Sequence, residues 1–132
     1  MSQLSMVRWV GCLMFAVLRR INDQGDIYEG LFVWCPGCQE IDADTGEKYG
    51  GLHLLPVTRG PSNSDKRPTW EWNGDYERVT LNPSILIKMS HRGENFVCHS
   101  YLQDGVWKFL TDSTHEFAGL DIPMVPLPDW VC

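Results

Sequence analysis

No apolar run in this 132-residue chain is long enough to cross a bilayer, the longest, Trp9 to Leu18, being ten residues, well short of a spanning helix. No membrane partner is expected. The same run lacks a small-residue cleavage site, and Arg19-Arg20 follows it instead of preceding it, so it does not read as a secretory leader. Positive charge is also scarce: 11 Lys and Arg stand against 17 Asp and Glu, a net charge of −6, and the only close basic pairs are Arg19-Arg20 and Lys66-Arg67. Nucleic acid is therefore not the expected partner, since phosphate recognition normally leaves a basic stripe. Several enzyme motifs are missing: a phosphate-cradling glycine loop, Gly-x-Ser-x-Gly and His-Glu-x-x-His. Nucleotide hydrolysis, elbow-type serine esterase chemistry and zincin chemistry find no motif support. There is no internal repeat. Cysteine is sparse and odd in number, at five, which argues against a disulfide framework and for a reducing cytoplasm with paired thiols serving a metal. Cys12 and Cys132 then read as a buried small hydrophobe and a loose terminal thiol.

What is present fits a folded globular protein. Hydrophobic residues make up 43% and charged residues 21% of the chain, which also carries six tryptophans, large side chains that dominate core burial. The length suits a single domain over residues 1–132. Met6 to Leu18 reads as a buried strand or short helix, ended by the turn residues Asn22 to Asp26. Ile27 to Trp34 is rich in aromatic and β-branched residues and reads as a strand. Asp42 to Gly51 is a polar excursion, Leu52 to Val57 a short strand, and Gly60 to Pro68 a loop. Thr69 to Trp72 alternates into Asn73-Gly74, a hairpin signal with a returning arm from Asp75 to Leu81. Pro83 ends that arm, and Ile85 to Met89 follows as another strand. Phe96–Leu102 and Val106–Leu110 flank Gln103-Asp104-Gly105 as a second hairpin. Thr114 to Gly119 has the makings of one helical turn, and Pro123, Pro126 and Pro128 then imply an extended strap anchored by Trp130. The expected fold is all-β, a small zinc-containing sandwich or barrel with a short helical turn and a Pro-rich C-terminal strap.

Trp34-Cys35-Pro36-Gly37-Cys38 is the strongest chemical signal. Cys-x-x-Cys around Pro-Gly is the form of a metal knuckle, and no amphipathic helix follows it as a redox dithiol would require. A four-coordinate zinc needs two more ligands, and His53, Cys98, His99 and His115 are the candidates. Cys98 and His99 are strand neighbours and face opposite ways, so one of them joins the knuckle. The preferred set is Cys35, Cys38, His53 and Cys98; the competing set is Cys35, Cys38, His99 and His115. With Cys98 inward, His99 faces the other side with Tyr101, where Asp112 and His115 can meet it. That group suits acid–base chemistry or a structural cluster pinning the strap. His91 reads as ordinary surface. Trp70 and Trp72 share one face as an aromatic ridge, read first as core.

The succession Trp34-Cys35-Pro36-Gly37-Cys38, Trp70 to Arg78, Asn82-Pro83-Ser84-Ile85-Leu86, Val97-Cys98-His99-Ser100-Tyr101 and Thr114-His115 to Ala118-Gly119 resembles a domain-of-unknown-function family common in bacteriophage and prophage genomes. The resemblance covers about residues 31–130. Some members carry an ammonia monooxygenase label, which does not suit a chain without membrane spans or a histidine-rich copper site. Ser113 stands where relatives often have Cys. The resemblance implies a small zinc-containing phage protein. Two functions follow as expectations. The first is an accessory or virion-associated module that binds phage or host proteins through its aromatic surface and strap, in the host cytoplasm or the virion. The second is a small metal-dependent, hydrolase-like enzyme using His99, Asp112 or His115 beside an open metal position.

Overall fold

The computed structural model describes residues 2–9, 12–21, 27–58, 69–91 and 93–130. The expectations for the turn at 22–26, the loop at 60–68 and the side chains of Cys12, His91 and Cys132 lie outside the described residues. The chain is all-β. Its strands are β1 (Ser2–Trp9), β2 (Cys12–Ile21), β3 (Ile27–Trp34), β4 (Glu40–Ile41), β5 (Lys48–Tyr49), β6 (Leu52–Thr58), β7 (Trp70–Trp72), β8 (Leu81–His91), β9 (Glu94–Gln103), β10 (Val106–Phe109) and β11 (Asp121–Pro123). Nine form one sheet in the order β1-β2-β3-β6-β7-β8-β9-β10-β11, while β4 and β5 pair separately. The β6–β7 pair is parallel.

This sheet curls into a half-barrel around its own core. β3 and β9 are four positions apart in the strand order, about 19 Å along a flat sheet. Yet the sulfurs of Cys35, which directly follows β3, and Cys98 in β9 lie 3.7 Å apart. The enclosed face carries Phe15, Val17, Leu31, Val33, Leu55, Trp72, Leu81, Ile85, Leu102, Trp107 and Phe109. Phe15 of β2 meets Trp72 of β7 edge to face at 6.3 Å between ring centroids. β9 shows the underlying period of two: Cys98, Ser100 and Leu102 are buried, whereas His99 and Tyr101 are only half-buried on the outward face.

Local chemistry explains where the chain departs from expectation. The region at Met6–Leu18 is two paired strands, β1 and β2. Asn73-Gly74 does not make a tight hairpin; residues 73–80 form a longer loop before β8 begins. Asn73 accepts the N–H groups of Asp75 and Thr80 and donates to the Arg78 carbonyl, so its side chain captures the backbone that a returning arm would need. Pro83 does not end a strand either, since β8 runs through it. Asp104-Gly105 does form the expected turn, with φ of 56° and 75°, the left-handed pair of a two-residue hairpin. Residues 115–119 form successive turns, Ala118 N–H to His115 O and Leu120 N–H to Phe117 O, and no described residue is helical. The strap then adds β11 beside β10 and buries Leu127 with Trp34 and Ala16. Trp130 anchors it, donating its indole N–H to the Lys48 carbonyl at 3.1 Å and meeting Trp34 edge to face.

Leu102→Ala, at a position with 0% exposure, is expected to cost about 2–5 kcal/mol of stability in denaturant titrations. The Asp75 carboxylate accepts the backbone N–H groups of Arg78 and Glu77, and these donors hold it below the usual carboxylate range. A lowered folded value stabilises the fold above the unfolded value of about 3.9 and loses that effect as pH falls through the folded value. Asp75→Ala should therefore lower Tm at neutral pH, with the difference shrinking as pH falls below the unfolded value and through the folded one.

Candidate functional site

Ser84 owes its position to a bulge. β8 and β9 are in register at Leu81↔Leu102 and again at Ile85↔Ser100, so Asn82, Pro83 and Ser84 all lie opposite Tyr101 alone. Proline suits this place because a bulged residue does not need its ladder N–H. The Asn82-Pro83 peptide is cis. The Trp70 indole N–H donates to the Ser84 carbonyl at 3.2 Å, tying the bulge to β7. The Ser84 hydroxyl reaches across to β9, where its Oγ is 3.0 Å from Nε2 of His99.

The segment after β10 brings a carboxylate to the other side of the same ring. Leu110 N–H donates to the His99 carbonyl at 2.8 Å. Ser113 Oγ accepts the His99 N–H at 3.0 Å and donates to the His99 carbonyl at 3.1 Å. Thr114 repeats the pattern one step along, on Val97. Between these clamps, Asp112 sets Oδ2 at 2.9 Å and Oδ1 at 3.2 Å from His99 Nδ1. An ionised carboxylate only accepts, so Nδ1 carries the proton and Nε2 is the acceptor for the Ser84 hydroxyl. Hydroxyl, imidazole and carboxylate are thus linked in the order that activates a nucleophile. The group faces outward, with the His99 side chain 22% and that of Asp112 58% exposed, so a large substrate can reach it.

On the opposite face of β9, Cys98 points into the curl. The sulfurs of Cys35, Cys38 and Cys98 all lie within 4.8 Å of one another and are buried, a set that can hold a metal ion. Two sulfurs bound tetrahedrally to zinc at about 2.3 Å sit about 3.8 Å apart, close to the 3.7 Å between Cys35 and Cys98. The knuckle is pinned by Cys35 N–H to Gly51 O at 2.7 Å and Cys38 N–H to Cys35 O at 3.2 Å. Hydrogen bonds from the Cys38 and Cys98 thiols hold Cys35 far below the ordinary thiol range, against the opposing effect of burial. Donation to Cys35 raises Cys38 in turn and pushes Cys98 up to about 12. A cation bound among these sulfurs would stabilise their thiolate forms.

Two histidines approach this cluster differently. His53 in β6 lies close enough to Cys35 to lower its thiol further, and its Nε2 is buried without a hydrogen-bond partner. A buried ring nitrogen near Cys35 makes His53 a candidate fourth ligand, although it lies outside the set that the three sulfurs form within 4.8 Å of one another. His115 covers the knuckle from the strap side, where a Cβ on Gly37 would run into its ring and into Phe109. Its Nδ1 accepts the Phe117 N–H at 3.2 Å, which leaves the proton of the neutral ring on Nε2, the wrong tautomer for binding a metal there. Burial lowers its pKa. His99, Asp112 and His115 therefore do not form one cluster: the first two share the outward face and the third caps the thiols. The competing set that joins His99 and His115 to the knuckle does not correspond to this geometry.

Ser84 escaped sequence reasoning. A glycine-flanked elbow is the usual sequence signature of a serine nucleophile, whereas Ser84 stands on a strand bulge. The available signal was a proline inside a strand, immediately before a serine, in the strand preceding Cys98-His99.

Residues 14–110 match the family described as the bacterial ubiquitination-like system serine protease (BubE). The match includes Ser84, His99, the three cysteines and His53, and it stops just short of Asp112. No curated protein and no solved structure matches the chain. With the match spanning most of its length, this chain belongs to the BubE family of bacterial ubiquitination-like system serine proteases.

Proposed function

We propose that this chain is a serine protease acting on a protein of a bacterial ubiquitination-like system. The observation that carries this reading is the Ser84–His99–Asp112 relay, with contacts of 3.0 Å and 2.9 Å. Ser84 Oγ attacks the scissile carbonyl carbon while His99 Nε2 takes the hydroxyl proton. The Nδ1 proton stays hydrogen-bonded to Asp112, whose charge balances the imidazolium. Nε2 then passes the proton to the leaving nitrogen, and a water activated by the same nitrogen releases the acyl group from Ser84.

Zinc is the ion that best suits the inner cluster, held by Cys35, Cys38, Cys98 and His53. Such a site is closed, with no position left for substrate, and it contributes to folding. Because His99 follows Cys98 directly in β9, ligation at Cys98 steadies the backbone that carries the base. A module that binds phage or host proteins without chemistry, in a virion or the host cytoplasm, is favoured instead if Ser84 proves unreactive and the chain is found in purified virions.

Wild-type protein should be labelled by a fluorophosphonate probe, and Ser84→Ala should abolish both labelling and proteolysis with an unchanged circular dichroism spectrum; labelling that survives the substitution overturns the assignment. Asp112→Asn should lower kcat by about 10²- to 10⁴-fold, the upper figure being typical of a buried triad aspartate. Purified protein should contain one zinc ion per chain by mass spectrometry, and Cys35→Ser or His53→Ala should lose it. Chelation should lower Tm and proteolysis together. Folded, active protein containing no metal would overturn the zinc site and leave the relay standing.

A further inference from the structure

A cleft of about 450 Å³ opens on the outward face beside the nucleophile, lined by Thr69, Glu71, Asn82, Pro83 and Tyr101. It adjoins the relay on two sides, because Pro83 immediately precedes Ser84 and Tyr101 lies two residues from His99 on the same face of β9. A substrate whose scissile carbonyl rests over Ser84 can therefore place a neighbouring side chain in it.

The lining chemistry is selective. Among the described lining residues, Glu71 supplies the single carboxylate and none is cationic. Glu71 is exposed and forms no ion pair among the described residues. A substrate that covers it without a positive charge leaves a carboxylate desolvated and unpaired, which is strongly unfavourable. Across the strand pair stands Asn82, the register partner of Glu71, with an amide oxygen that can accept a further hydrogen bond. Tyr101 offers a ring on which a flat cation can stack. Carboxylate, amide oxygen and aromatic ring together match a guanidinium, with its fork of donors and its planar face, better than a compact ammonium.

We propose that this cleft is a specificity subsite for an arginine side chain next to the scissile bond, with Glu71 as the residue that reads its charge. The inference rests on the serine protease reading and deepens it by naming a substrate feature.

The test uses internally quenched peptides in which Arg, its neutral isostere citrulline, Leu or Glu is moved through the positions flanking the cleaved bond. Wild type should cleave the best Arg peptide at least tenfold faster in kcat/KM than its citrulline twin. Glu71→Gln should bring that ratio close to one, and Glu71→Arg should shift preference towards Glu. An Arg-to-citrulline ratio that is the same in wild type and Glu71→Gln overturns the subsite. Failure of fluorophosphonate to label Ser84 would sink the protease reading by itself. The subsite is then decided by fluorescence anisotropy with Ser84→Ala protein: the Arg peptide should bind at least tenfold more tightly than the citrulline peptide, and equal binding overturns it.

Discussion

The approach of Cys35 to Cys98 closes the sheet on itself. Without it, β3 and β9 are separated by three intervening strands; with it, they become opposite walls of one core. The contact also sets the phase of β9. Side chains alternate along a strand, so anchoring Cys98 inward commits His99 to the outward face. A slip of one residue would bury the imidazole and expose the thiol. The thiol cluster and the relay are thus two results of one register, on opposite sides of a single sheet layer.

The relay has a second support, independent of the first. The segment from Leu110 to Thr114 lies alongside β9 and is tied to His99 and Val97 through both backbone and hydroxyl groups. Ser113 is central to this, because its hydroxyl both accepts from and donates to the backbone of His99. A cysteine at this place would be a weaker hydrogen-bonding group. Asp112 needs no burial of its own to be well placed, since Leu110 and Ser113 close beside it in the chain are held.

How much of this was legible in the sequence follows from the range of the interactions involved. The knuckle, the strand from Ile27 to Trp34 and the Asp104-Gly105 turn depend on neighbours within a few residues, and they stand where local chemistry puts them. The opposite orientation of Cys98 and His99 was readable too, from strand alternation alone. Ser84 was not readable in the same way, because a bulge is a mismatch between two strands and neither strand shows it singly. The loop after Asn73 is longer than Asn73-Gly74 implies because one side chain outcompetes the expected ladder. Glu71 acquires meaning only through Asn82 and Tyr101, which are remote from it in the chain.

The placement of the relay on the outer surface has a consequence for how it works. Deep clefts supply a dry, low-dielectric wall that strengthens every charge-stabilising contact in the transition state. Here more than half of the Asp112 side chain is open to solvent, so that wall has to come from the substrate. A folded protein laid across β8 and β9 would exclude water from the imidazolium and its carboxylate as it docks; a short peptide would leave them wet. On the protease reading, such a site would discriminate by the size of what covers it as well as by the sequence it cuts, reaching full reactivity only when a whole protein completes it.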